Sequence, residues 1–189
     1  TAEAFWPLLW SMGGDCLNET MDKPLLDKPE TIKALAFQAM LIQKHYAPEK
    51  QMEGDPVCLF EGGRIAMNIS WAGEAVRLRE MPLSFQWDVA PVPEGPGGRW
   101  TTCKGNQLVI AHNSRHPVAA WRWIEYLVSE ECEREMYIVN RRSVPTRVKL
   151  LEEYSQPKEG VPPDHPHVFY DSMMTYGRRL PINDRWQEW

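Results

Sequence analysis

The sequence predicts an α/β chain, and three observations carry that expectation. Two segments, around residues 27–45 and 114–128, place apolar side chains at helical spacing behind N-terminal start signals. Three short runs, RIAMNIS (64–70), FQWDVAPVP (85–93) and QLVIA (107–111), are apolar or alternating and bounded by Gly, Pro or polar clusters, as strands are. The two kinds of segment alternate along the chain with no internal repeat, which is the α/β pattern.

The elements follow in order. FWPLLWS (5–11) meets Gly13, Gly14 and Asp15, a helix stop or turn. The polar stretch 16–30 is expected as loop, up to a helix that Asp27 caps, with Pro29 early in the first turn and Glu30 three residues after the cap. Ile32, Leu35, Ala36, Ala39 and Met40 form the apolar stripe of that helix, which ends near His45. A short helical piece is expected over 56–63, closed by Gly62 and Gly63, then the buried strand 64–70 running into Trp71. Residues 72–79 are compatible with a helix, and Trp87 falls in the next strand. EGPGG (94–98) is a loop. Ser114 opens the second long helix, with Pro117 in its first turn and Ala120, Trp121, Ile124, Leu127 and Val128 on its core face. Ser129 caps a third helix whose first turn carries Glu130 and Glu131, favourable at the positive end of the helix dipole, and Asn140 ends it. The Pro-rich run 156–166 is loop, and a last helix covers His167–Tyr176.

Composition narrows the function. At 189 residues the chain can bury a core, and its 43% hydrophobic content is too high for a disordered protein. A membrane-spanning helix needs about 20 consecutive apolar residues, and no such run occurs. A net charge of −5 with interspersed signs lacks the basic footprint of a nucleic-acid binder. Cys16, Cys58, Cys103 and Cys132 are widely spaced, permit three pairings and identify none, so the plainer expectation is buried thiols. The chain opens TAEAFWPLLW without a signal-peptide pattern and stops at RWQEW, and its closing tryptophans lead us to expect a segment of a longer protein.

Several chemistries find no motif. G-x-x-x-x-G-K, G-x-G-x-x-G and G-x-S-x-G are all missing. Asp164, His165 and His167 form a D-H-P-H cluster, but its Pro-rich setting and the lack of further ligands favour a solvated loop over a metal site. No metal and no cofactor is expected. Glu61, Glu74, Glu80, Asp88 and Glu94 could supply the paired carboxylates of a glycoside hydrolase, although each is better read as solvated. The nine Trp are more informative. Trp121 and Trp87 read as core, whereas Trp71 follows a strand directly, where ligands gather in open α/β sheets, and an indole suits the C–H face of a sugar ring.

An ordered set of segments then carries a resemblance: LLWSMGGD, the capped helix, LFEGGRIAMNISW, WDVAPVPEGPGG, LVIAHNSRHPVAAWRWIEYLVSEE, SVPTR and MMTYGRRLPINDRWQEW. Together they resemble the sugar-type extracellular solute-binding proteins of ABC importers, the group that includes maltose-binding protein. The resemblance implies part of a two-lobed clamshell, without the first lobe's opening sheet or the last helices. On that analogy residues 1–102 belong to the C-lobe, 103–155 cross to the N-lobe and 156–189 return. It also implies a mono- or oligosaccharide ligand in the cleft, ABC permease subunits as partners, an extracytoplasmic location (periplasmic or lipid-anchored), and no enzymatic activity. Trp71 matches the position after the family's A-M-x-I-x strand, although Ile69-Ser70 stands where the family has Gly or Ser-Gly. Gly105 and Asn106 match the segment before the crossing strand, and Tyr176 and Arg178 the stretch before the closing P-x-x-x-x-W. Trp10 lies within reach of the cleft or in the core. Two rival readings remain at this level: a carbohydrate-active hydrolase using paired carboxylates, and an interaction domain without a competent site.

Overall fold

A computed structural model describes residues 2–48, 59–105 and 107–180. The chain divides into two compact units: Thr1–Ile69 with Pro91–Lys104 and Ser172–Trp189, and Ser70–Ala90 with Gly105–Asp171.

In the first unit, helix α1 (Ala2–Ser11) buries Trp6, Leu9 and Trp10 at i, i+3 and i+4, one face of a helix. Trp6 and Trp10 meet at 5.5 Å between ring centroids. The helix stops where the sequence predicts: Gly13 adopts φ +84°, a left-handed conformation costly to residues with a Cβ. The amides of Gly13 and Gly14 then donate to the carbonyls of Trp10 and Leu9. Asn18 organises the loop that follows, its Oδ1 accepting the amides of Asp22 and Lys23.

Helix α2 (Pro29–Gln43) forms one residue later than its predicted cap. The Ile32 amide donates to the Lys28 carbonyl, which makes Lys28 the cap and Pro29 the first helical residue. Asp27 thus lies outside the helix, Glu30 is its second residue, and the reciprocal capping geometry does not form. The predicted stripe is also displaced. Thr31 and Ala34 are buried, whereas Ile32 and Leu35 are exposed. Thr31 turns inward to donate its hydroxyl to the Leu25 carbonyl at 3.0 Å, and the start of α2 lies close to the α1 turn, where a Cβ on Gly14 would stand 3.1 Å from the Glu30 Cβ.

The EGPGG loop closes on the end of α1, with the Gly97 amide donating to the Ser11 carbonyl at 2.7 Å. It leads into β1 (Thr101–Cys103), which pairs in parallel with β2 (Gly177–Arg179) in the register Thr101↔Gly177, Thr102↔Arg178, Cys103↔Arg179.

The second unit contains α3 (Glu74–Glu80), α4 (Pro117–Leu127), the single turn α5 (Glu130–Glu133) continuing as a π-helical stretch Arg134–Val139, and α6 (Val148–Tyr154). Its core is built on Ala75, Leu78, Cys132, Leu150, Leu151 and Tyr154. Ser129 caps α5 as predicted, its hydroxyl accepting the Cys132 amide at 3.2 Å, and Asn140 ends the π-helical stretch. Buried Glu133 accepts the backbone amides of Thr146 and Arg147 and the Thr146 hydroxyl, which satisfy its carboxylate. The Arg141 guanidinium, also buried, donates to the carbonyls of Tyr154 and Gln156. Helix α7 (His167–Tyr176) has the predicted bounds and passes directly into β2.

Several expectations are corrected. None of the runs 64–70, 85–93 and 107–111 is a strand. A strand exists only as one side of a ladder, and among the described residues no neighbouring segment pairs with them. Met67 is 85% exposed, so 64–70 is not a buried segment. Residues 59–62 form turns where the end of a short helix was expected, and 56–58 lie outside the described residues. Helix α4 starts after His116, with the Ser114 hydroxyl accepting the His116 amide short of the helix, so Ser114 does not cap it. Trp121 is 54% exposed rather than core, because α4 buries no side chain among the described residues.

Candidate functional site

In the first unit, three of the predicted site residues come together at the β1–β2 ladder and the end of α1. The ladder places Arg178 opposite Thr102, two residues from Trp100. Its guanidinium stands 4.8 Å from the Trp10 ring centroid and 5.9 Å from that of Trp100, both within cation–π range. Asp15, the first polar residue after the Gly13–Gly14 stop, accepts one hydrogen bond from Arg178 at 2.5 Å and a second from the Trp10 indole N–H at 3.3 Å. The Cys16 amide donates to the same carboxylate at 2.8 Å. Trp10 itself is 2% exposed, so its indole forms a floor rather than an open face. Tyr176 accompanies this group: its ring lies 5.7 Å from the Arg99 guanidinium and its hydroxyl is 2.6 Å from that of Ser172.

Trp10, Asp15 and Arg178, but not Tyr176, border a cavity of about 520 Å³, whose polar lining is Asp15, Asn18, Glu19, Arg178 and Arg179 around the Trp10 floor. Two carboxylates and two guanidinium groups balance in charge. Burial, and then the neighbouring Asp15 charge, push the Cys16 thiol up to about 11, leaving it protonated at neutral pH. Glycine is required around this site at two points. A Cβ on Gly97 would press on the Gly13 backbone, and one on Gly177 would overlap the Met173 carbonyl oxygen where α7 turns into β2.

Trp71 belongs to the second unit. Its indole is 71% exposed and lies over Gly73, where any side chain would collide with the ring, while its carbonyl accepts the Glu74 amide at the start of α3. This is an open aromatic face. Gly105 is exposed with nothing near its Cα face, and Asn106 lies outside the described residues. A second, more open concavity of about 680 Å³ sits at the start of α4, between Arg115, His116, Arg122 and Trp123.

The paired-carboxylate alternative meets different surroundings. Glu61 is buried, against the expectation that it is solvated, because the turn at 59–62 folds it inward. Glu74 pairs with Arg77 and Glu94 with Arg99. Asp88 accepts from both the backbone amide and the ring Nδ1 of His165, the middle of the D-H-P-H cluster. Desolvation alone would raise the Asp88 pKa, but hydrogen bonds from His165 and Val89 outweigh it and hold the carboxyl below its usual value. The same pairing raises the pKa of His165. Among the described residues no group of three or more His, Cys, Asp or Glu is placed to hold a metal ion. Cys16, Cys103 and Cys132 are free thiols, and only Cys132 is fully buried; Cys58 lies outside the described residues.

Sequence reasoning missed Asp15, Arg99 and Trp100. The only local hint of Asp15 is its place after a Gly-Gly helix stop, since its partner Arg178 is 163 residues away.

An α/β chain with an aromatic-floored, charge-balanced cavity and an exposed indole has the equipment of a small-molecule binding protein. Residues 1–131 match the family model described as bacterial extracellular solute-binding protein, and the chain belongs to that family, one of binding proteins rather than enzymes. Its structure is similar to that of the ABC substrate-binding protein Lmo0181 from Listeria monocytogenes in complex with cycloalternan, with TM-score 0.73 and 21% identity over 100% of this chain and 48% of that one. It is also similar to maltose-bound MalE3 of T. maritima, with TM-score 0.74 and 28% identity over 99% of this chain and 49% of that one. These relatives are two-lobed periplasmic binding proteins, and the chain has that fold in part, spanning about half the length of each.

Proposed function

We propose that the chain is part of the substrate-binding component of an ABC-type sugar importer, which takes up a mono- or oligosaccharide outside the cytoplasm and delivers it to a membrane permease. The observation that carries the reading is the open indole of Trp71 in a chain whose solved relatives hold maltose and cycloalternan. A sugar has an apolar ring face and a rim of hydroxyls. An exposed indole suits the face, and charged or amide side chains suit the rim. Burial of the ligand on closure of the lobes then removes water and strengthens each polar contact. The division of 1–102 and 156–189 to the C-lobe and 103–155 to the crossing segment is part of the same proposal, as are ligand roles for Trp10, Trp71, Gly105, Asn106, Tyr176 and Arg178.

Titration of the full-length protein with a panel of neutral mono- and oligosaccharides tests the reading. Trp71→Ala is expected to weaken the best ligand by about 1–3 kcal/mol, which is roughly 5- to 150-fold in Kd, using the measured worth of aromatic stacking and area burial. Unchanged affinity in that variant contradicts the role of Trp71. The 189-residue chain by itself is expected to bind at millimolar Kd or not at all, since it spans about half of each relative, and micromolar affinity contradicts that expectation.

A further inference from the structure

Arg178 is placed against the Trp10 indole by something other than the ladder. The β1–β2 pairing sets the backbone of Arg178 opposite Thr102, but a long, rotatable side chain separates that backbone from the guanidinium. What fixes the guanidinium is Asp15. One carboxylate oxygen receives Arg178 at 2.5 Å, and the other receives the Trp10 indole N–H at 3.3 Å and the Cys16 amide at 2.8 Å. The carboxylate therefore ties together the floor of the cavity and the cation above it, and is itself oriented by the backbone just past the Gly13–Gly14 turn.

We propose that Asp15 is the positioning residue of this cavity: it holds the Arg178 guanidinium over Trp10, so that the ligand meets a fixed, charge-neutralised guanidinium instead of a bare indole. The proposal rests on the sugar-binding reading and deepens it toward neutral sugars. A guanidinium carries five N–H donors in a rigid fork. Arg178 lines the cavity and is 43% exposed at its side chain, so its guanidinium is accessible to a ligand there. With its charge matched by Asp15, and with Arg179 and Glu19 alongside, the cavity offers hydrogen bonds without net charge, which suits hydroxyls better than a carboxylate or an ammonium group.

The test uses the full-length protein, with tryptophan fluorinated at the indole and the Trp10 resonance assigned from Trp10→Phe. Maltose is the probe, alongside glucuronate and glucosamine as its acidic and basic counterparts. Asp15→Asn keeps the shape and removes the charge, Asp15→Glu restores the charge, and Arg178→Lys keeps a cation without the fork. The expected result is that the Trp10 resonance moves in Asp15→Asn and in Arg178→Lys and returns toward its original position in Asp15→Glu. Maltose affinity is expected to fall about tenfold in the first two and to recover in part in the third. Thermal melts distinguish a fold defect from a positioning defect, because a merely structural Asp15 would lower the melting temperature without moving the Trp10 resonance in the folded protein. An unmoved Trp10 resonance in Asp15→Asn overturns the proposal. So does a moved resonance with unchanged maltose affinity, or tighter binding of glucuronate or glucosamine than of maltose. If the unsubstituted protein binds no sugar at all, the sugar-binding reading itself fails, and that is seen before any variant is made.

Discussion

Asp15 and His165 show how single side chains carry charge in this molecule. Asp15 lies against Cys16, whose thiol burial has already raised, and its negative charge adds to the penalty on the thiolate. Asp15→Asn should therefore lower the Cys16 pKa from about 11 and speed its alkylation by iodoacetamide near pH 8.5, an increase measurable by mass spectrometry of the Cys16 peptide. No change in rate would mean that burial alone protects the thiol. His165 titrates above the ordinary histidine value and Asp88 below the ordinary aspartate value. The raised His165 pKa stabilises the fold below the unfolded histidine value and loses that contribution as pH rises through the folded one. The lowered Asp88 pKa contributes above the unfolded aspartate value and is lost as pH falls through the folded one. The pair thus acts fully between about pH 4 and pH 6.5. An NMR titration of His165 should give a midpoint above that of a solvated histidine, and Asp88→Asn should bring it back. At this scale the sequence was only partly legible. Trp10, Tyr176 and Arg178 were singled out and do gather in one unit, but Asp15, which ties two of them, has no signature beyond its turn. Trp121 and Glu61 show the reverse failure, since side-chain burial depends on neighbours that no local pattern names.

At the level of elements, helices were legible because their signals are local. Helix α7 has the bounds expected of it, α1 stops at its glycines, and Ser129 caps α5. Removal of the Ser129 hydroxyl in Ser129→Ala should cost about 1 kcal/mol of stability, read from chemical denaturation, because the Cys132 amide then loses its acceptor. A neutral effect would mean that water replaces the cap. Strands were poorly legible for the opposite reason. The runs 64–70, 85–93 and 107–111 have strand-like composition yet no ladder partner among the described residues, while TTC and GRR pair across a gap of more than seventy residues with nothing in either to announce it. The loop that closes on α1 is equally non-local. Gly97→Ala should destabilise by about 1–3 kcal/mol, since its Cβ would press on the Gly13 backbone, whereas Gly160→Ser meets open space and is limited by its positive φ alone. Comparable denaturation midpoints for Gly97→Ala and the unsubstituted protein would show that the loop can withdraw from α1.

For the molecule as a whole, the ordered set of segments from LLWSMGGD to MMTYGRRLP carried more than any single motif, and the family match over residues 1–131 agrees with it. That order survives where individual strands do not, because it records which residues recur along the chain and not how they pair. The central claim is the proposal that the full-length protein binds a sugar and leaves it unchanged. Isothermal titration of the full-length protein with maltose and longer glucans, followed by mass analysis of the recovered ligand, tests it most directly. The account predicts saturable one-site binding with micromolar or tighter affinity and ligand recovered intact. Absence of binding across neutral sugars, or recovery of cleaved oligosaccharide, would contradict it.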